Sequence, residues 1–188
     1  MTTFLTVLGL LLGLSQVIPF WHEAFQGQAK PNIVSWSTWT LLTMIAATVA
    51  FAGGNWRVGL VILGNALATG SVVVVGLWKG YAKMTRLDFI CQLLALLGLV
   101  AWPFLHTITV TVAATVLVDA LALLPTLHHA WRRPQEEAVA TYILAAAGSL
   151  CGLFVSSVGW ASVYPMYLVL ADGLVAATVA WRRRGLGW

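Results

Sequence analysis

Charged side chains are the scarcest component of this 188-residue sequence. They make up 9% of it, six acidic and ten basic, whereas an average soluble domain has roughly 25%. Hydrophobic residues reach 60%, and the mean hydropathy is +0.89. So few charges could not cover the surface of a soluble fold, which excludes a soluble enzyme, a disordered chain and a nucleic-acid-binding domain. The composition predicts a polytopic membrane protein whose partner is the lipid bilayer and not a nucleic acid.

Cysteines and catalytic motifs are also few. Cys91 and Cys151 both lie in apolar runs without CxxC spacing, which excludes a disulfide scaffold and indicates no metal site. Cys151 belongs to the small-residue run AAAGSLCG, which is typical of close helix packing. GxSxG and HExxH motifs are absent. We therefore expect no metal, no cofactor and no enzymatic activity; an intramembrane acid pair of Asp119 and Asp172 is the remaining enzymatic alternative.

Seven apolar runs are long enough to cross a hydrocarbon core of about 30 Å. They cover residues 4–21, 33–52, 57–78, 87–105, 107–130, 138–158 and 161–181. The first has no basic residue before it and no small-residue cleavage site after it, which favours a membrane helix over a signal peptide. The predicted fold is all-α, a polytopic membrane protein with seven transmembrane helices.

The basic residues predict the orientation of these helices. Nine of the ten fall on one side, and Arg57 alone falls on the other. The nine are Lys30, Lys79, Lys83, Arg86, Arg132, Arg133, Arg182, Arg183 and Arg184. The positive-inside rule assigns that side to the cytoplasm, with the N-terminus outside and the C-terminus inside. We expect an integral protein of a bacterial inner membrane.

Several polar residues are predicted at helix ends. Thr85 and Asp88 have the spacing of a capping box that opens the fourth helix. Pro134, Glu136 and Glu137 suit the first turn of the sixth helix, where proline and acids are favourable. The histidines are interpreted as interfacial or capping residues: His22, His106, His128 and His129.

The sequence also contains a weak internal repeat. A shift of 106 residues aligns several residues of its two halves. The aligned pairs include Pro19 with Pro125, His22 with His128 and, after a one-residue slip, Asn65 with Asp172. This predicts parallel three-helix repeats at 1–86 and 107–188, the second with a basic cytoplasmic tail, joined by a linker helix at 87–106. Parallel repeats related by an axis along the membrane normal occur in transporters.

A 3+1+3 pattern with a proline near the cytoplasmic end of the first helix of each repeat resembles the PQ-loop/SWEET-like superfamily, over nearly the whole chain. Lys30-Pro31 before the second helix and Asp119 before the proline of the fifth helix also resemble small bacterial members. The Pro-Gln dipeptide that names the group is absent at both prolines. The resemblance implies that the polar residues of the third helices, Asn65 and Asp172, face a central cavity.

Asp119 and Asp172 each lie near the middle of an apolar run. An acid at that depth is costly unless it is protonated, paired or facing water, and no basic residue lies at the same depth. The alternative role for such groups is a structural hydrogen bond between helices. Trp36 lies one turn before Trp39 and suits either the cavity or the membrane interface. The predicted substrate-binding residues are Gln16, Trp39, Asn65, Asp119, Tyr142 and Asp172.

These features together predict a transporter of a small polar or cationic solute that works by alternating access and could be coupled to a proton. Pro19 and Pro125 are predicted hinges, since each removes a backbone hydrogen bond from its helix. A non-transporting membrane receptor or assembly partner of the same fold is the alternative. The architecture is also compatible with a homo-oligomer.

Overall fold

The structure is a computed structural model that describes residues 1–81, 84–101, 104, 107–156 and 159–185. The described residues are helical with short connections, which confirms the predicted all-α class. The helices are α1 (Thr2–Ser15), α2 (Val17–Phe25), α3 (Ile33–Ala52), α4 (Trp56–Trp78), α5 (Arg86–Ala101), α6 (Ile108–Arg132), α7 (Val139–Val155) and α8 (Trp160–Gly185). Lys83, His106 and part of the predicted linker helix lie outside the described residues.

Within the described part of the chain, five apolar segments are long enough to cross a membrane, which is compatible with an integral membrane protein. They are Thr2–Phe25, Ile33–Ala52, Trp56–Trp78, Thr109–Arg132 and Ser162–Gly185. The first of them combines α1 and α2, which are interrupted at Gln16. The predicted fourth and sixth spans correspond to shorter helices, with 16 residues described in α5 and 17 in α7. Seven membrane crossings therefore stay a prediction.

Side-chain caps define where two helices begin. The Thr85 amide donates to Asp88 Oδ2 at 2.6 Å, and the Asp88 amide donates to Thr85 Oγ1 at 3.2 Å, which confirms the predicted capping box. Asn32 caps α3 by accepting from the amides of Val34 and Ser35. Its Nδ2 also donates to Asp88 Oδ1 at 2.6 Å, so the starts of α3 and α5 are tied together.

The predicted cap of the sixth span is wrong. Residues Pro134–Glu136 form a separate 3-10 turn, in which the Glu136 amide donates to the Arg133 carbonyl at 2.9 Å. Helix α7 begins only at Val139, and its first turn contains no acid. Because the extra turn ends before the helix starts, the Glu136 and Glu137 side chains bind groups on other elements.

The packing order of the helices is the same in both halves of the chain. Helix α4 packs against both α1 and α3, and α8 packs against both α6 and α7. The two groups meet where α1 contacts α7, α3 contacts α6 and α4 contacts α7. Helix α5 packs against α3 and α6. The shared order is what a repeat would produce, and the repeat itself stays a prediction.

Small residues bring α1 and α7 into backbone contact. A Cβ atom on Gly148 would lie 3.1 Å from the Gly13 nitrogen and 3.2 Å from the Gly9 oxygen. A Cβ atom on Gly9 would lie 2.9 Å from Cys151 Cβ. Such approaches leave no room for larger side chains, which confirms the close packing predicted for the run containing Cys151.

Candidate functional site

All six predicted substrate-binding residues line one narrow cavity inside the bundle. Its wall takes residues from α3, α4, α6, α7 and α8, and from the interruption between α1 and α2. The lining residues are Gln16, Trp36, Trp39, Thr43, Asn65, Thr69, Asp119, Leu123, Tyr142, Leu168, Ala171 and Asp172. The structure therefore brings the predicted residues together, and their binding of a solute stays a prediction.

The cavity is small in this conformation. Its volume is about 20 Å³, and roughly 10–15 Å³ is enough for one water molecule. A second space of about 10 Å³ shares Asn65 and Leu168 with it and continues between α1, α4, α7 and α8. The conformation thus has room for water and not for a sugar or an amino acid.

Asp119 is held by two tyrosines of α8. The Tyr164 hydroxyl donates to Oδ2 at 2.7 Å, and the Tyr167 hydroxyl donates to Oδ1 at 3.2 Å. Asp119 as a whole is 2% exposed, so these donors replace the water that burial removes from its carboxyl. The Trp39 indole interacts with Asp119 as well, although its buried Nε1 has no hydrogen bond among the described residues.

Asp172 has no such support. It lines the same cavity and interacts electrostatically with Asp119. No described residue donates a hydrogen bond to its carboxyl, and none of the residues that line the cavity is basic. An acid in this setting needs a bound cation, a polar group or a proton.

Two amides of the cavity wall are joined by a hydrogen bond. Gln16 Nε2 donates to Asn65 Oδ1 at 2.5 Å and to the Gly13 carbonyl at 2.7 Å. Gln16 lies at the interruption of the first span, three residues before Pro19. Pro125 lies within the continuous helix α6. The interruption thus coincides with the first predicted hinge, and hinge motion at either proline stays a prediction.

Aromatic rings close one side of the cavity. The Trp36 and Trp39 rings meet edge to face with their centroids 5.4 Å apart, and the Trp36 centroid lies 6.0 Å from the centroid of the Tyr142 ring. Trp36 is 2% exposed and lines the cavity, which agrees with the cavity position among its two predicted positions. The Tyr142 hydroxyl donates to Glu137 Oε2 at 2.6 Å.

An ionic cluster follows beyond Tyr142. His129 Nδ1 lies 3.0 Å from Glu137 Oε1, and His129 Nε2 lies 3.0 Å from Glu136 Oε2. Lys30 Nζ lies 3.1 Å from Glu136 Oε1. Burial raises the pKa of Glu136, but hydrogen bonds from His129 and Lys30 and the charges of Lys30 and Arg133 bring it below its usual value. His129 is therefore part of an ionic cluster and not a simple helix cap.

Sequence reasoning missed the two tyrosines that hold Asp119. Tyr164 and Tyr167 are three residues apart and therefore share a helix face. They lie in the same apolar run as Asp172, and a tyrosine hydroxyl buried in such a run needs an acceptor. This spacing was the available signal for an acid on a neighbouring helix. Metal-binding clusters of three or more ligands are absent among the described residues.

Comparisons with known proteins identify no relative: no family model, no curated protein and no solved structure matches the chain. The candidate site is therefore defined by its own residues.

Proposed function

We propose that the protein is a membrane transporter that moves a small polar or cationic solute by alternating access around this cavity. The observation that carries the proposal is the Asp172 carboxyl, which lies in an apolar helix without a hydrogen-bond donor among the described residues. Such an acid is completed by a cation, a polar solute or a proton. Asn65 adds an amide to the wall and Asp119 adds a second acid.

The helix packing supports alternating access. Helices α4 and α8, which carry Asn65 and Asp172, each pack against both other helices of their own half. Rocking of one half against the other would open the cavity at one end and then at the other. The space of about 20 Å³ suits a closed intermediate, and Pro19 and Pro125 are the proposed hinges.

The ion pairs support the proposed orientation. The Lys30–Glu136 pair and the bond from Arg183 Nε to the Pro134 carbonyl at 3.1 Å gather basic segments of both halves at one end. We assign this end to the cytoplasm, with seven crossings, the N-terminus outside and the C-terminus inside. A PQ-loop/SWEET-like architecture in a bacterial inner membrane is part of this proposal.

Thermal unfolding of the purified protein with a panel of sugars, amino acids, polyamines and vitamins tests the site. The panel is run at acidic and at neutral pH. A solute at 100 times its dissociation constant adds about 2.7 kcal/mol of stability. We expect the stabilisation by a hit to disappear in Asp172→Asn and Asn65→Ala. It should persist in Gly173→Ala, because the added Cβ meets nothing within 4 Å.

A hit that stabilises Asp172→Asn and the wild type equally would contradict the site assignment. The absence of any hit would favour the receptor or assembly partner, whose ligand is a protein or a lipid.

A further inference from the structure

Four proton-carrying side chains connect the cavity to the basic end of the bundle. Tyr142 lines the cavity, and its hydroxyl donates to Glu137 Oε2 at 2.6 Å. The other Glu137 oxygen lies 3.0 Å from His129 Nδ1. His129 Nε2 in turn lies 3.0 Å from Glu136 Oε2. Glu136 pairs with Lys30, whose side chain is 46% exposed, so the series ends at the surface.

The series changes from exposed to buried along its length. The Glu136 side chain is 18% exposed and the Glu137 side chain is 3% exposed. Tyr142, at the inner end, is 1% exposed. A proton that entered at Glu136 would therefore move from a hydrated group to groups that are almost fully enclosed.

One link in the series is incomplete. Glu137 Oε1 and His129 Nδ1 are 3.0 Å apart, yet both atoms are buried and neither has a hydrogen bond among the described residues. The contact is therefore electrostatic, because the imidazole N–H does not point along it. A rotation of the imidazole ring would turn this contact into a hydrogen bond and complete the series.

The chemistry of Glu137 is unlike that of a structural ion pair. Its two oxygens face a phenol and an imidazole, both of which can donate and accept protons. The nearby Arg183 does not pair with the carboxylate: its Nη2 donates to the Glu137 carbonyl at 2.8 Å, and its Nε donates to the Pro134 carbonyl at 3.1 Å. A permanent cation is thus directed at the backbone, and the carboxylate keeps partners that can exchange a proton.

We infer that Glu136, His129, Glu137 and Tyr142 form a proton pathway between the cytoplasmic face and the cavity. The pathway makes the proposed transporter proton-coupled. This role of the pathway rests on the proposed function. Other charged groups face the pathway and set its electrostatics. They are Glu23 on α2, Lys30 in the loop after α2, Arg133 after α6 and Arg183 on α8.

The transfer moves one proton inward in balanced steps. A proton from water binds the Glu136 carboxylate and passes to His129 Nε2, as Nδ1 releases its own proton to Glu137 Oε1. Rotation of the Tyr142 hydroxyl turns its proton from Glu137 Oε2 towards the cavity and leaves the phenol oxygen free to accept. Rotation of the Glu137 carboxyl then presents the transferred proton to that oxygen, while Tyr142 releases its hydroxyl proton to cavity water or to Asp172. One proton has entered and one has left, and each O–H or N–H bond broken is replaced by one formed.

Time-resolved infrared spectroscopy of the full-length purified protein after a pH jump tests the pathway without a solute. The carboxylic C=O band of the cavity acids is assigned by its loss in Asp119→Asn and Asp172→Asn. Removal of a positioned proton-transfer group typically costs about 100-fold or more in rate. We expect the band to respond about 100-fold more slowly in Glu137→Gln and Tyr142→Phe. It should respond at the wild-type rate in the control Tyr81→Phe, which removes a hydroxyl after the end of α4, outside the pathway.

Wild-type rates in both pathway variants would overturn the inference, as would a cavity band that does not respond to pH. If Glu137→Gln fails to fold, Tyr142→Phe alone decides the matter, because it removes only the hydroxyl. A slowed response in a protein that transports no solute would support the pathway and contradict the proposed function, so the two failures are distinguishable.

Discussion

The Tyr164 hydroxyl donates a hydrogen bond of 2.7 Å to Asp119 Oδ2 and so joins α8 to α6 beside the cavity. Asp172, on the same helix as Tyr164, has no donor among the residues that the structure describes. The two acids of the cavity therefore differ in their hydrogen bonds. Asp119 joins α6 to α8, and Asp172 keeps a carboxyl that, in the proposed function, is available to the solute.

Removal of the Tyr164 hydroxyl should destabilise the protein. Loss of one partner of a buried hydrogen bond costs about 1–3 kcal/mol, so we expect Tyr164→Phe to lower the melting temperature in detergent. Tyr167→Phe is the matched control, because its bond to Asp119 is longer, at 3.2 Å. It should have the smaller effect, and an equal or larger loss in Tyr167→Phe would contradict the assigned importance of Tyr164.

The contact between α1 and α7 should not tolerate a methyl group. In Gly148→Ala the new Cβ would meet backbone atoms of Gly13 and Gly9 at 3.1 and 3.2 Å. Overpacking of this kind costs about 1–3 kcal/mol. Gly173→Ala adds the same atom where nothing lies within 4 Å, so it should leave thermal unfolding unchanged or raise the melting temperature. Equal behaviour of the two variants would show that the helices are less tightly packed than described.

The ion pair of Lys30 with Glu136 should make stability depend on pH. The pKa of Glu136 is lowered from 4.5 in the folded protein, so the folded state binds fewer protons than the unfolded state. This stabilisation is fully present above about pH 4.5, which is the pKa of the carboxyl in the unfolded state. It is lost as the pH falls through the lower pKa of the folded state. Because the pair is partly exposed, it contributes about 1 kcal/mol or less.

The melting temperature measured between neutral and acidic pH checks this linkage. Wild-type stability should fall through that window, and Glu136→Gln should show a smaller fall. Lys30→Gln should also make the fall in melting temperature smaller, because Lys30 helps to lower the pKa of Glu136. An unchanged pH profile in Glu136→Gln would exclude Glu136 as a source of the dependence.

Much of the helix pattern could be predicted because long apolar runs have few other stable structures in a bilayer. The cavity residues could be predicted for a related reason: a polar side chain in such a run must find a polar environment. Asp119 and Asp172 meet this condition directly. The position of Trp36 could not be predicted in this way, since tryptophan is equally favourable at an interface and in a protein interior.

The partners of these residues could not be predicted in the same way. Tyr164 and Asp119 are 45 residues apart, and their contact depends on how α8 packs against α6. Glu137 has the local sequence of a helix cap, and only the 3-10 turn before α7 places it instead between Tyr142 and His129. Local patterns describe helix ends well, whereas contacts between helices require the tertiary structure.

The most direct test of the account is the accessibility of one cavity position from both sides of the membrane. Thr69, which lines the cavity and is 4% exposed, is replaced by cysteine in a chain that carries Cys91→Ala and Cys151→Ala. Right-side-out and inverted vesicles are then treated with a membrane-impermeant thiol reagent. Leu67→Cys is the control, since Leu67 is 54% exposed on an apolar helix and should not react in lipid. Alternating access predicts labelling of Thr69→Cys from each side, and labelling from one side alone would contradict transport and favour a receptor.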